Sequence, residues 1–120
     1  MLETIVNAQV TTPPLFACSP DGLIGSDGGL EIKRLDDENH VKTRLGDIDK
    51  KYLAQIEWCL FVTDRKWWDY MGYCETIPEP LTADIRRIEA TDKRMNEIKK
   101  IALDFIGELE INLEQFRLAA

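Results

Sequence analysis

The sequence SPDGLIGSDGGLEIKR, at residues 19–34, decides how the rest of the chain is organised. Two short apolar runs in it flank a turn at 26–29 that ends in two glycines, Gly28 and Gly29. Glycine adopts positive φ without steric cost, and turns between paired strands often require it. The stretch therefore predicts a tight β-hairpin in which these two glycines form the turn.

The second strand of this hairpin predicts a cluster of charged side chains. Residues two apart in a strand share a face, so Glu31 and Lys33 lie on one side, about 6.5–7 Å apart. Ile32 points to the other side, where we expect the core. Asp21 begins the partner strand, so pairing can bring its carboxylate beside Glu31. Two carboxylates and an ammonium at one end of a sheet could bind a hard divalent cation and an activated water. The alternative is an ordinary solvated sheet face, where charged and apolar residues also alternate.

Three segments in order carry a more specific signal: ACSPDGL at 17–23, GLEIK at 29–33 and YLAQ at 52–55. They resemble the phage lambda exonuclease family, the YqaJ-like viral recombinases among the PD-(D/E)XK nucleases. The resemblance runs from about residue 15 to about residue 92 and more weakly to the C-terminus. It implies an α/β fold with a restriction-endonuclease-like core, in which a small mixed β-sheet is flanked by helices and followed by a long C-terminal helix.

The resemblance also implies roles for the hairpin residues. Asp21, Glu31 and the backbone carbonyl of Ile32 are expected to bind Mg²⁺, with Mn²⁺ as a possible substitute. Lys33 is expected beside the attacking water. Because two neighbouring carboxylates favour the charged ammonium, we assign Lys33 mainly to orienting the nucleophile and stabilising charge, with general-base catalysis as the alternative.

A helix predicted at 49–62 carries the remaining site candidates. Gln55 is a polar residue on an otherwise apolar face, and it either edges that face or points into the site. The resemblance places the matching glutamine in the active site, where it positions substrate or water, so Gln55 joins Asp21, Glu31 and Lys33 as a catalytic candidate. The residues expected to contact the DNA substrate are Ser19, Arg34 and Tyr52.

The function implied by the resemblance is that of a metal-dependent deoxyribonuclease. Family members degrade one strand of linear double-stranded DNA from its 5′ end in phage-type recombination. They assemble as homo-oligomeric trimers and work with a single-strand annealing protein. We expect such a protein, encoded by a phage or prophage, in the cytoplasm of a bacterial host.

The chain is expected to form one nuclease core domain over residues 1–120. The family's usual chain is longer at the N-terminus, where helices carry a further acidic site residue and basic residues that grip the 5′ phosphate. A shortened core leaves open a non-catalytic DNA-binding or assembly module. A plain interaction protein unrelated to DNA is the third reading.

Composition is that of an ordinary globular protein, with 44% apolar and 31% charged residues. The net charge of −7 opposes phosphate binding, but six of the fifteen Lys and Arg residues fall within 33–51, next to the proposed site. No apolar run is long enough to span a membrane. The three cysteines fit a reducing compartment, and we expect them to act as small buried hydrophobes.

The rest of the chain predicts further elements: strands at 5–6, 8–10 and 15–18, with a break at 11–14, a short helix at 40–45, strands at 67–74 and 85–90, and a helix from the N-cap Thr91 to about residue 118. The strand at 67–74 has large apolar groups on both faces, which suits a central strand covered on both sides. We expect the side chains of Trp67 and Trp68 to lie in a core or a subunit interface, which is more common for such residues than stacking on DNA bases. His40 is expected to be an exposed loop residue.

Overall fold

A computed structural model describes residues 2–3, 10–12 and 16–119, in two compact units, Met1–Ala90 and Thr91–Ala120. Among these residues no helix has the length and apolar character needed to cross a bilayer. The elements in chain order are β1 (Leu2–Glu3), β2 (Val10–Thr12), β3 (Phe16–Cys18), β4 (Gly22–Ile24), β5 (Gly28–Arg34), α1 (Asp37–Arg44), α2 (Lys50–Thr63), β6 (Trp67–Tyr73), β7 (Ala83–Glu89) and α3 (Asp92–Ala119). The strand predicted at 5–6 lies outside the described residues, and β2 occupies part of the predicted break at 11–14.

The first unit is built on a mixed five-stranded sheet with the order β1-β4-β5-β6-β7. Among the strands that the structure describes in this sheet, β5 and β6 are parallel and the other neighbours are antiparallel. Parallel neighbours need a long crossover connection, and here α1 and α2 supply it. The strands β2 and β3 form a separate antiparallel pair. The predicted small mixed sheet with flanking helices and a long C-terminal helix is therefore confirmed.

The predicted hairpin is present, but its turn lies earlier than expected. β4 pairs with β5 so that Gly22 opposes Leu30, and residues 25–27 join the two strands. The positive φ belongs to Gly25, at 56°, so the prediction that Gly28 and Gly29 form the turn is wrong. Those two glycines begin β5 because tryptophan rings lie against them. A Cβ on Gly29 would stand 2.3 Å from the Trp68 ring.

The core lies on the face of the sheet that carries Glu31. Trp68 and Tyr70 are fully buried on this face, together with Ile56 of α2. Ile32 lies on the opposite face and is 43% exposed, so the expected core position was wrong. β6 is indeed an inner strand, but its two faces differ in burial, and only the face of Trp68 and Tyr70 is fully covered.

Aspartates cap the two crossover helices. Asp36 accepts a hydrogen bond of 2.8 Å from the Asn39 backbone N–H and caps α1, which begins at Asp37, three residues before its predicted start. Asp49 caps α2 by accepting from the Lys51 N–H at 3.0 Å, which confirms the helix predicted from residue 49.

His40 lies inside α1 and is almost fully buried, so the prediction of an exposed loop histidine is wrong. Its Nε2 lies 2.7 Å from the carbonyl oxygen of Leu81. Because a carbonyl oxygen can only accept a hydrogen bond, Nε2 is the donor. The partner is 41 residues away in sequence.

The second unit consists of α3. The hydroxyl of Thr91 accepts a hydrogen bond of 3.2 Å from the Arg94 N–H, which confirms Thr91 as the predicted N-cap. The helix then runs to Ala119.

Candidate active site

The strand β5 places two charges on the core face of the sheet. Glu31 is only 9% exposed, and its Oε1 lies 3.0 Å from Nζ of Lys33. The alternation of a strand brings both side chains to one side, as the sequence predicted. A buried carboxylate needs a compensating partner, and Lys33 provides one. The predicted pair of a carboxylate and an ammonium is thus formed.

Asp21 is attached to the same strand by its side chain. Its Oδ2 accepts a hydrogen bond of 2.7 Å from the backbone N–H of Ile32, and its own N–H donates to the carbonyl of Leu30 at 3.2 Å. The carboxylate therefore lies beside the middle of β5, held there through its Oδ2. The structure brings Asp21, Glu31 and Lys33 to one part of the sheet.

Burial sets the protonation behaviour of Glu31. Desolvation raises the pKa of Glu31 above its ordinary value, and the charge of Asp21 adds to this rise. The hydrogen bond from Lys33 acts in the opposite direction but does not cancel it. Burial beside a second carboxylate therefore disfavours the ionised form of Glu31, and a bound cation would offset this effect.

Lys33 stays charged in this setting. Burial, the largest single influence, lowers the pKa of Lys33, but the hydrogen bond and charge of Glu31, with smaller contributions from Tyr52 and Asp21, outweigh it and raise the pKa. A charged ammonium can donate hydrogen bonds to an anion but cannot accept a proton. This favours orientation and charge stabilisation over general-base catalysis.

Tyr52, at the first turn of α2, lies next to Lys33. Nζ of Lys33 is 4.9 Å from the centre of the Tyr52 ring, and Nζ of Lys51 is 5.0 Å from it. The ring stacks on that of Tyr70, with centroids 6.3 Å apart. Two cations therefore flank an aromatic ring at the edge of the charged cluster.

A cavity of about 260 Å³ opens beside this cluster. It brings together four of the predicted site residues, Ser19, Glu31, Lys33 and Gln55, and is completed by Cys18, Trp58 and Cys59. Gln55 is exposed on α2 and lines this cavity beside Glu31 and Lys33, and its role in the site stays a prediction.

Three residues of this cavity were missed as site candidates. Trp58 and Cys59 follow Gln55 by three and four positions in α2. Residues at these spacings share a helix face, so the spacing could have identified them. Cys18 immediately precedes Ser19 and ends β3, but nothing in its local sequence marks it as a site residue.

The two thiols of this cavity interact with each other. A hydrogen bond from Cys59 lowers the pKa of Cys18, against the effects of burial and of Glu31. The same hydrogen bond raises the pKa of Cys59, and burial adds to this rise. Both cysteines are free and buried, as is Cys74, which confirms their predicted burial.

Arg34 lies away from the cluster. Its guanidinium pairs with the carboxylate of Glu75, and it lines a different cavity near the start of α1. Two other members of the basic segment at 33–51 are also paired with acids, Lys42 with Glu38 and Arg44 with Asp84. Among the predicted substrate contacts, the structure therefore brings Ser19 and Tyr52 to the site but not Arg34.

The donor set fits a hard divalent cation. Among the described residues no three His, Cys, Asp or Glu side chains form a metal-binding group. A cation would therefore depend on the carboxylates of Asp21 and Glu31, with the carbonyl of Ile32 as a third donor. Mg²⁺ is commonly held by one or two carboxylates and completes its shell with waters and substrate phosphates. A bound cation would favour the ionised form of Glu31 and so oppose the effect of burial on its pKa.

Comparison with protein families and solved structures finds similarity to a viral recombinase domain and to an alkaline exonuclease. A family model described as the YqaJ-like viral recombinase domain matches residues 4–66. The crystal structure of an alkaline exonuclease, LHK-Exo, from Laribacter hongkongensis is similar to this chain with a TM-score of 0.86 and 28% identity, covering 98% of this chain and 61% of that one. The structure of LHK-Exo in complex with dAMP gives a TM-score of 0.84 and 28% identity over 97% of this chain and 60% of that one. The chain thus spans about three fifths of the length of these exonucleases, and no curated protein matches it significantly.

Proposed function

The chain belongs to the family of YqaJ-like viral recombinase domains, and from this premise we propose that it is the core of a metal-dependent exonuclease acting on linear double-stranded DNA. One observation carries the proposal. Asp21 is held on β5 by its hydrogen bond to Ile32, on the strand where Glu31 and Lys33 form an ion pair of 3.0 Å. The similarity to an alkaline exonuclease, and to its complex with the mononucleotide dAMP, supports a nuclease that acts on DNA.

In this proposal the metal ion is Mg²⁺, or Mn²⁺ in its place, held by Asp21, Glu31 and the carbonyl of Ile32. When bound, it would stabilise the negative charge that gathers on the phosphate and make a bound water more acidic. Phosphodiester hydrolysis needs this because negative charge accumulates on the non-bridging oxygens in the transition state.

The protein side chains supply position and charge. Lys33 keeps its proton and donates hydrogen bonds to the attacking water or to the phosphate. Gln55 and Ser19, which line the same cavity as Lys33, orient the water and the terminal nucleotide. Tyr52 fixes the ammonium of Lys33 from the side of α2 and contacts the DNA.

Finer properties of the activity rest on resemblance to the family. We propose cleavage from the 5′ to the 3′ direction, in phage-type recombination within the cytoplasm of a bacterial host. A homo-oligomer, a trimer by resemblance, and cooperation with a single-strand annealing protein belong to the same proposal.

Digestion of linear 5′-phosphorylated duplex DNA with Mg²⁺ tests the activity. The protein is compared with Lys33→Ala and with Lys66→Ala, a matched control because Lys66 is exposed and pairs with Asp27 in the hairpin turn. We expect mononucleotide release by the wild type and the control, loss in Lys33→Ala, and no attack on closed circular DNA. Duplex binding without cleavage under Mg²⁺ and Mn²⁺ would instead assign a non-catalytic DNA-binding module.

A further inference from the structure

Two cysteines face each other at the proposed active site without forming a disulfide. Cys18 ends β3 and Cys59 lies in α2, and both line the cavity that contains Glu31 and Lys33. They are 8% and 7% exposed, and each thiol changes the pKa of the other, as neighbouring thiols do. The nuclease mechanism proposed above gives neither thiol a role.

The neighbouring residues hold these two thiols opposite each other. Nε1 of Trp58 donates a hydrogen bond of 2.9 Å to the carbonyl of Ala17, and the rings of Phe16 and Trp58 meet edge to face at 5.4 Å. Each contact joins a residue of β3 to the residue directly before Cys59. The segment around Cys18 is therefore fixed against α2, which removes much of the entropy cost of joining the sulfurs.

We propose that Cys18 and Cys59 form a peroxide-sensitive thiol pair whose oxidation to a disulfide switches off the neighbouring site. The oxidant is a small hydroperoxide such as hydrogen peroxide, which is small enough to enter the cavity. The thiolate of one cysteine attacks a peroxide oxygen, forming a sulfenic acid as the O–O bond breaks and one water leaves after protonation. The second thiol attacks the sulfenic sulfur, forming the S–S bond and releasing a second water. The two cysteines are oxidised by two electrons, and the peroxide is reduced to two waters.

Closure of the disulfide changes the geometry of the site. An S–S bond is about 2.05 Å long, more than an ångström shorter than a hydrogen-bonded contact between two sulfurs. The two sulfurs must approach each other, and on the side of Cys18 the chain continues through Ser19 to Asp21, the first proposed metal ligand. A displacement of about 1 Å can reduce a catalytic rate on the order of 100-fold. This regulatory effect rests on the proposed function, whereas formation of the disulfide does not.

The chemical test uses the whole protein without DNA or metal. After treatment with hydrogen peroxide, free thiols are counted and linked peptides are mapped by mass spectrometry. Cys74→Ser is the matched control, because Cys74 is also buried but its thiol donates to the carboxylate of Asp37. We expect loss of two thiols, an intramolecular link between Cys18 and Cys59 in the wild type and in Cys74→Ser, and full reversal by dithiothreitol.

Several outcomes would overturn the inference. These are oxidation of Cys74 as fast as the pair, links between molecules, or over-oxidation of Cys18 without a link. Cys18→Ser and Cys59→Ser should each lose the link. If either variant misfolds, the peptide map of the wild type still decides the question.

A second measurement tests the switch. DNA cleavage by the wild type is expected to fall on the order of 10- to 100-fold on oxidation and to recover on reduction, whereas Cys18→Ser and Cys59→Ser show no reversible peroxide-dependent loss. Unchanged cleavage by the disulfide form would overturn the switch. Inactivity of the reduced wild type would count against the proposed nuclease function, and the thiol assay separates that failure from failure of the thiol pair.

Discussion

The carboxylate of Asp21 accepts a hydrogen bond of 2.7 Å from the backbone N–H of Ile32. The ladder between β4 and β5 ends at the pair of Gly22 and Leu30, so the next N–H of β5 on that side lacks a backbone acceptor. The Asp21 side chain takes its place and extends the pairing by one step. The same bond that completes the hairpin therefore sets the position of the first proposed metal ligand.

This double role predicts different effects for two substitutions of Asp21. Asp21→Ala removes the acceptor and should lower the free energy of unfolding by about 1 kcal/mol. Asp21→Asn keeps an oxygen that can accept from Ile32 and should lower it by less than half as much. Urea unfolding of the metal-free proteins measures both values. Equal stabilities for the two variants would show that the hydrogen bond does not stabilise the hairpin.

The metal site makes a separate prediction. Asp21→Asn and Glu31→Gln should each weaken Mn²⁺ binding by at least about 100-fold, since replacing a ligand costs more than replacing the residues that support one. Asp27→Asn is the control, because Asp27 lies in the hairpin turn and pairs with Lys66. Isothermal titration calorimetry gives the affinities. Unchanged binding in Asp21→Asn and Glu31→Gln would remove these residues from the metal site.

Local sequence was sufficient to predict which side chains of β5 act together. A period of two residues places Glu31 and Lys33 on one side of any strand, whatever surrounds it. It was not sufficient to identify the buried face. On the side of Glu31, β5 contributes only glycine and charged residues, and the apolar groups come from Trp68 and Tyr70 on the parallel strand β6.

The same non-local packing explains the other differences from the sequence predictions. Gly28 and Gly29 resemble a turn in sequence, but the neighbouring strand needs their missing side chains as space for two tryptophan rings. His40 is buried because a loop 41 residues away supplies the carbonyl of Leu81 as its partner. Neither contact could be predicted from the residues next to it in the sequence.

The pKa of Glu31 predicts how metal binding depends on pH. A carboxylate must lose its proton to bind a cation, and burial raises the pKa of Glu31 above its ordinary value of 4.5. Mn²⁺ affinity should therefore already fall at pH values above 4.5 as the solution is acidified. Calorimetric titrations at a series of pH values measure this. The residual binding of Glu31→Gln should lack this part of the pH dependence.

The same shift predicts the stability of the metal-free protein. Between 4.5 and the raised pKa, the folded protein binds more protons at Glu31 than the unfolded chain does. The contribution of Glu31 to the free energy of unfolding therefore decreases as pH rises through this window. Glu31→Gln should remove that decrease, so the difference in stability between variant and wild type should shift in favour of the variant as pH increases. A difference that stays constant with pH would contradict it.

The tryptophan rings over β5 predict unequal costs for two neighbouring glycines. An added Cβ would meet ring atoms at 2.3 Å at Gly29 and at 2.2 Å at Gly28, so distance alone does not separate them. The ring over Gly29 belongs to Trp68, which is fully buried and cannot move without disturbing the core. The ring over Gly28 belongs to Trp67, which is half-buried under the guanidinium of Arg87 at 3.6 Å.

Gly29→Ala should therefore lower the free energy of unfolding by about 3 kcal/mol, and Gly28→Ala by about 1 kcal/mol, because a half-buried ring can turn aside. Urea unfolding of both variants gives the values, and the change in tryptophan fluorescence on substitution at position 29 reports the displaced ring. Because Trp68 lies on the same face as Glu31, Gly29→Ala should also weaken Mn²⁺ binding, whereas Gly28→Ala should not. Equal costs at the two positions would mean that the core face is no more rigid than the opposite face.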